Sequence, residues 1–279
     1  MKGIGILYIV ATPIGNLEDI TLRAIRVLKD VDLIAAEDTR HSRKLLNHYG
    51  VKSPVTSYFE HNKLVKGEYI IGKLTDGNNV ALITDAGTPG ISDPGYRLIK
   101  SAIEAGINVT VVPGPSAGIA ALSISGLSTD IFVFEGFLPS REKARKDRLE
   151  LLKGEERTLI FYESPQRLLS TLKDIRDTIV DRNISVAREL TKLHEEVLRG
   201  KVSEVISTVL ERKTVKGEIV IVLEGFHGET FRGSIADELK NAMKSGISMK
   251  EAIDALAKGL GISKGEVYKE SLKIKRESY

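Results

Sequence analysis

Val-Ala-Leu-Ile-Thr-Asp-Ala-Gly-Thr-Pro-Gly-Ile-Ser-Asp-Pro-Gly, residues 80–95, runs from an apolar stretch straight into a loop dense in glycine and proline. Val80–Thr84 shows no polar alternation, the pattern of a strand covered on both faces. The twelve residues from Thr84 to Gly95 hold three glycines, two prolines and two aspartates. A turn needs about four residues. The remainder is shaped backbone that can approach a ligand closely, because glycine has no Cβ and proline fixes φ.

A second loop of this kind, Val112-Pro113-Gly114-Pro115-Ser116-Ala117, follows the run Val109–Val112 and opens a helix, with Ser116 as its expected N-cap. Two elaborate loops after successive strands, on one edge of a sheet, predict a small-molecule site. The segment Ile9–Asn16, Ile-Val-Ala-Thr-Pro-Ile-Gly-Asn, sits in the same position after the first run but by itself reads as a tight structural turn. It is no dinucleotide fingerprint, since Gly3 and Gly5 precede the strand, and no Gly-x-x-x-x-Gly-Lys-Ser/Thr loop occurs. Kinase and common dehydrogenase readings lose support.

Outward from this centre, short β-branched runs alternate with helical periodicity. The runs are Ile4–Val10, Val31–Ala36, Val80–Thr84, Val109–Val112, Ile131–Phe134, Thr158–Tyr162, Ile184–Ala187 and Glu218–Leu223. Between them, Leu22–Leu28, Arg43–Tyr49, Leu64–Leu74, Tyr96–Ala105, Leu168–Ile179 and Val202–Leu210 carry apolar residues at three- and four-residue spacing. The alternation predicts an α/β fold with mainly parallel sheets. Breaks near Leu127–Ile131 and Phe226–Gly233 divide the chain into α/β domains at 1–127 and 128–228 and a helical segment at 229–279. In that last segment Met249–Gly259, a tight turn and Ser263–Ile274 read as a helix-turn-helix-like appendage or a capping helical hairpin. Ser263 and Glu266 have capping-box spacing.

The chain has 279 residues, 42% of them hydrophobic and 28% charged, enough for one large or two medium domains. It contains no cysteine, which removes disulfides, thiolate metal sites and cysteine nucleophiles and suits a reducing cytoplasm. His41, His48, His61, His194 and His227 are dispersed and form no ligand set, so no metal is expected. The apolar run Ile4–Ala11 looks superficially like a leader, but Pro13, Gly15, Glu18 and Asp19 follow at once. No run approaches the ~18 residues that span a bilayer. A soluble cytoplasmic protein with no membrane partner is expected. The net charge of +3 permits a polyanionic partner without demanding one. Arg141, Lys143, Arg145, Lys146 and Arg148 cluster at a helix start beside Glu142 and Asp147, either as a solvated face or as phosphate contacts.

Several long motifs occur in order: Leu7–Asp19, Glu37-Asp38-Thr39-Arg40, Asp85–Gly95, Pro113–Ala117, Glu135–Pro139, Phe161-Tyr162-Glu163-Ser164-Pro165 and Arg188-Glu189-Leu190-Thr191-Lys192. Together they closely resemble the tetrapyrrole methylase superfamily, in its branch that methylates ribose in small-subunit ribosomal RNA. The resemblance covers nearly the whole chain. It implies two α/β domains with S-adenosylmethionine in the cleft between them, a homodimer, and 2′-O-methylation of a cytidine in the decoding region of 16S rRNA. Gly87, Thr88 and Pro89 correspond to the family's cofactor loop, with Thr88 replacing an aspartate. Ser116 and Ala117 match the next cofactor contact, and Ile14 and Tyr162 weaker ones. Gln166 stands where the family pattern has histidine, which argues against an acid–base role there.

Methyl transfer to a hydroxyl is an in-line displacement that depends on alignment and on a base for the proton. Glu37, Asp38, His61, Glu163 and Glu189 are the candidate bases; the reading favours Glu189 with Lys192, then Glu37. Asp38 equally suits a helix cap, and Arg188 with Glu189 an ion pair. Arg40 and Arg188 join Arg141, Lys143, Arg145 and Lys146 as candidate RNA contacts. Two alternatives stay open: a methylase of a tetrapyrrole or a modified protein side chain, and a non-catalytic RNA-binding protein reading through the terminal helices.

Overall fold

The computed structural model describes residues 3–212, 214–226, 235–245, 247–260 and 264–277. Two five-stranded sheets form within one unit that ends at Glu224, and a separate helical unit follows. In the first half, β1 (Ile6–Val10), α1 (Leu22–Asp30), β2 (Leu33–Ala36), α2 (Thr39–His48) and β3 (Val55–Ser57) are followed by α3 (Lys63–Thr75), β4 (Val80–Ile83), α4 (Gly95–Glu104), β5 (Asn108–Val112) and α5 (Ala117–Ser125). The strands lie all parallel in the order β3-β2-β4-β1-β5. Helices crossing between parallel strands cover both faces, so β2 and β4 are buried at every position. Ala24 and Leu28 of α1 and Leu45 and Leu46 of α2 pack on one face; Ile70 and Leu74 of α3 and Leu98 and Ala102 of α4 pack on the other.

The second half runs β6 (Phe132–Phe137), α6 (Glu142–Leu152), β7 (Thr158–Glu163), α7 (Leu168–Ile179), β8 (Asn183–Arg188), β9 (Glu196–Lys201), α8 (Val202–Leu210) and β10 (Ile219–Leu223). Its sheet order is β6-β7-β10-β8-β9. Only β6 and β7 pair in parallel here; β10 is antiparallel to both its neighbours, and β8 is antiparallel to β9. The mainly parallel expectation therefore holds for the first sheet and not for the second. The physical reason is loop length: residues 189–195 are too few for a parallel crossover, which takes a dozen or more, so β8 must return as a hairpin. Leu149, Leu168, Leu172, Ile175, Val205 and Val209 bury one face of this sheet under α6, α7 and α8.

Helix α5 joins the halves. It follows β5 of the first sheet, yet Ala121 and Leu122 pack with Ile160, Ala187, Val220 and Val222 of the second. Arg145 of α6 and Asp174 of α7 form a buried pair, with Nε and an Nη nitrogen donating to one carboxylate oxygen at 2.7 and 2.6 Å.

The terminal unit contains α9 (Ile235–Lys244), α10 (Met249–Leu260) and α11 (Lys264–Glu277), which meet around Leu239, Ala252, Ala257 and Val267. Helices α10 and α11 fall on the helical stretches read from the sequence, and a further helix precedes them, while the predicted turn lies outside the described residues. The cap at Ser263 and the break at 227–233 lie outside the described residues. Among the described residues no helix is long and apolar enough to cross a membrane.

Candidate functional site

Three loops leave the same edge of the first sheet and are tied to each other by hydrogen bonds. Thr12 and Gly87 exchange hydrogen bonds, Thr12 N to Gly87 O at 2.9 Å and Gly87 N to Thr12 O at 3.0 Å. The Thr88 hydroxyl donates to Pro115 O at 3.2 Å, joining the second loop to the third. Gly87 holds a φ of +81°, which glycine adopts freely and branched residues do not. The tight structural turn read at Ile9–Asn16 is therefore also one wall of a site. Asp93 closes its own loop: its carboxylate accepts from Gly90 N at 2.9 Å and from Gly95 N at 2.6 Å. Ser116 occupies the N-cap position of α5, but its side chain makes no capping bond.

Beneath these loops lies a cavity of about 480 Å³, closed on its other side by the ends of β7, β8 and β10. Eight of the sequence-predicted residues meet here: Ile14, Glu37, Gly87, Thr88, Ser116, Ala117, Tyr162 and Glu163. Pro89 does not line it. Its charge is one-sided. Glu37, Asp85, Asp93, Glu163 and Glu218 face it, and no lysine, arginine or histidine does. Burial pushes the Asp85 carboxyl above its ordinary range, helped by the neighbouring charges of Glu37 and Asp38 and opposed by the Asp38 N–H that donates to it at 3.1 Å. Burial likewise raises Asp93 and the Tyr162 phenol.

The carboxylates differ in what already occupies them. Glu163 accepts from Thr171 Oγ1 at 2.6 Å and pairs with Arg167 at 2.7 Å, so it is fully engaged. Asp93 is spent on its loop. Glu37 accepts one bond, from Thr84 Oγ1 at 2.6 Å, and Asp85 accepts one, from Asp38 N. Each of these two keeps an oxygen for the cavity. Asp38 itself caps α2, accepting from Arg40 N at 2.8 Å and His41 N at 3.4 Å.

The favoured base lies elsewhere. Glu189 and Lys192 do not line the cavity, although Leu190 and Gly217 do. Glu189 Oε1 accepts from Lys192 Nζ at 2.9 Å and from Glu218 N at 3.0 Å, and these bonds, Lys192 first, hold its carboxyl below the ordinary range. A carboxylate stabilised in its charged form is a weaker proton acceptor. Lys192 in turn bridges to Glu218 at 3.1 Å.

The basic cluster is also reassigned in part. Arg145 is 4% exposed and spent on Asp174, so it is not available to a phosphate. Lys146 bonds Glu142 at 2.5 Å and approaches Asp174 at 3.5 Å, while Arg148 pairs with Glu135 at 2.6 Å. Arg141 and Lys143 remain exposed, as does Arg40. Arg188 pairs with Glu196 at 3.2 Å, and Arg212 grips the same carboxylate through two bonds of 2.6 Å. These bonds, Arg212 foremost, lower Glu196 from 4.5 to about 2. A depressed carboxyl contributes stability above its unfolded value and loses it as pH falls through the folded one. Glu196→Gln is therefore expected to cost about 1–2 kcal/mol near neutral pH after solvent screening. In denaturant titrations the gap from the parent protein should close between pH 4.5 and about 2; a gap independent of pH would remove the ion pairs as its cause.

Asp85, Ser92 and Asp93 were visible in the sequence only as members of a shaped loop. Phe137 and Leu190 were visible only as members of the motifs Glu135–Pro139 and Arg188–Lys192, and Glu218–Val220 only as the start of a strand, because they reach the cavity through the second sheet. Gln166 is exposed and outside the cavity. Among the described residues no group of three or more acidic or histidine side chains is placed to hold a metal ion.

Comparison with known proteins adds a family. The model described as Tetrapyrrole (Corrin/Porphyrin) Methylases matches residues 6–206. Similar curated proteins include three named ribosomal RNA small subunit methyltransferase I. That of Halalkalibacterium halodurans is 47% identical over 95% of this chain and 93% of its own. That of Escherichia coli O157:H7 is 46% identical over 96% and 95%, and that of Thermotoga maritima 53% identical over 79% and 99%. Among solved structures, a cobalt precorrin-4 methyltransferase superposes with a TM-score of 0.59 at 16% identity, covering 78% of this chain and 94% of that one. A diphthine synthase gives 0.59 at 12%, covering 79% and 90%. At such identities these two bear on the fold alone.

Proposed function

The chain belongs to the tetrapyrrole methylase family, and from that premise we propose that it methylates small-subunit ribosomal RNA with S-adenosylmethionine as donor. The target on this reading is the 2′ hydroxyl of a cytidine in the decoding region of 16S rRNA. The observation that carries the cofactor assignment is the cavity lining, where Glu37 and Asp85 each keep a carboxylate oxygen and no cationic side chain is present. S-adenosylmethionine carries a sulfonium and an ammonium against one carboxylate, so its net charge is positive and the lining complements it. Ile14, Ala117, Leu190 and Tyr162 supply the apolar surface that an adenosine needs, and Gly87 leaves its backbone open to close approach. When bound, the cofactor supplies a methyl carbon already activated for displacement.

The chain's own work is then to align and to take a proton. Asp85, raised by burial, accepts the ribose proton, while Glu37 turns its open carboxylate oxygen toward the cationic ligand. The same acidic walls repel phosphate, so a single sugar enters and the RNA backbone stays at the rim. Residues 229–279 serve substrate recognition on this reading. The protein works in the cytoplasm as a homodimer, with exposed Ile119, Ile124, Ile131 and Phe132 as the apolar surface a second copy would cover.

Tritiated methyl transfer to small-subunit particles and to free rRNA, followed by digestion to nucleosides, tests this directly. Labelled 2′-O-methylcytidine is the expected product. Retained cofactor binding with no label in either RNA would return the substrate to the tetrapyrrole or side-chain alternatives. At saturating cofactor, Asp85→Asn should slow a single turnover by about 10²-fold or more, and Glu189→Gln much less. The reverse order would move proton acceptance to Glu189.

A further inference from the structure

Helix α2 carries Thr-Arg-His-Ser-Arg-Lys-Leu-Leu-Asn-His, with no acidic residue in its ten positions. Ser42, Leu45 and Leu46 are buried and fix the helix to the first sheet, and the Tyr49 hydroxyl just beyond it donates to Leu17 O at 2.7 Å. Arg40, His41, Arg43, Lys44 and His48 are all exposed. Residues three and four apart share a helix face, so Arg40, Arg43, Lys44 and His48 form one stripe, about 12 Å long at 1.5 Å per residue. Among the described residues Arg43 and Lys44 make no ion pair, and Arg40 makes only a long one, 3.8 Å to Asp38, with its side chain 91% exposed. Helix α6 is the contrast, since three of its cations are held by Asp174, Glu142 and Glu135.

The stripe begins at the site. Glu37, the residue before the cap, lines the cavity, and the cap residue Asp38 donates its N–H to Asp85. Because Asp38 takes the first N–H groups of the helix, any anion held here is held by side chains and not by the helix end. A cavity whose charged groups are all acidic, next to an exposed basic stripe, separates the two parts of a nucleotide: the sugar is admitted and its phosphates are drawn outward.

We propose that the outer face of α2, through Arg40, Arg43 and Lys44, holds the phosphate backbone of the RNA strand beside the methylated nucleotide. This rests on the reading that RNA is the substrate. The test uses the full chain with Arg40→Gln, Arg43→Gln and Lys44→Gln combined, titrated with 16S rRNA and with small subunits across a range of salt. Each lost single-strand phosphate contact lowers the salt slope by about 0.7, so a fall of about two is expected, with affinity about tenfold or more weaker at moderate salt. S-adenosylmethionine affinity by calorimetry should be unchanged, which shows that the fold and cavity are intact. Exchanging charge for charge, Arg43→Lys with Lys44→Arg, should keep the slope. An unchanged slope in the triple variant, when the parent protein binds RNA, overturns this inference and leaves the proposed substrate standing. A flattened slope from Arg141→Gln with Lys143→Gln instead also overturns it, by moving the contact to α6. A parent protein that binds neither RNA overturns both.

Discussion

Asp174→Ala is expected to lower the free energy of unfolding by about 3–5 kcal/mol, the usual consequence of leaving one buried charge without its partner. Arg145 donates two bonds to the Asp174 carboxylate and a third to Ser140 O at 3.2 Å, in a place where both side chains are under a tenth exposed. With the carboxylate gone, the guanidinium keeps its charge and cannot reach water. Lys146, 3.5 Å from the same carboxylate, loses a neighbour too. Against a total of about 5–15 kcal/mol this is a large fraction. Urea unfolding reads it as a lower midpoint at an unchanged slope. The double variant Arg145→Met with Asp174→Leu, which replaces both charges by apolar side chains, should recover most of the loss. A single variant within 1 kcal/mol of the parent would mean that water reaches the pair.

The second large effect belongs to Gly87. At a φ of +81°, valine meets the backbone strain that left-handed conformations impose on branched residues, on the order of 1–2 kcal/mol or more. A Cβ there would lie 3.7 Å from Ile14 Cγ2 and 3.8 Å from Pro115 O, so the protein itself has room for it. Gly87 lines the cavity, so the additional methyl groups compete with the proposed ligand for that space. Calorimetric affinity of Gly87→Val for S-adenosylmethionine should fall about 100-fold or more while far-ultraviolet circular dichroism stays native. Equal affinity in a folded variant would take the cofactor out of this loop.

How much of this was legible in the sequence depends on which physical signal each part carries. Buried parallel strands such as Leu33–Ala36 and Val80–Ile83 declare themselves as unbroken apolar runs, and the loops after them as glycine and proline. Val55–Ser57 is a three-residue edge strand with half-buried positions, too short to show a period. Glu196–Lys201 is the other sheet's edge, and its mixture of Glu, Arg and Lys with half-exposed Val and Leu hides a strand inside what reads as a polar loop. The cavity's chemistry was legible on the first-sheet side, where it is local in the chain. Leu190 and Gly217–Val220 arrive from far along the chain beyond Ala117, and only three-dimensional packing brings them in. The role of Arg145 was lost for a similar reason: a basic residue in a basic run looks solvated until Asp174, 29 positions on, is found beside it.

Helix α5 has a consequence for the chain as it is made. Its inward residues Ala121 and Leu122 have their partners on strands that end with Leu223, about a hundred residues later. At a synthesis rate of about 5–20 residues per second, the helix waits roughly 5–20 s before its sheet exists. During that interval the first sheet can close over its own two clusters, but α5 stays an apolar segment without a home. Nascent chains paused between residues 125 and 219 are thus the species most exposed to chaperone capture and to mispairing with each other.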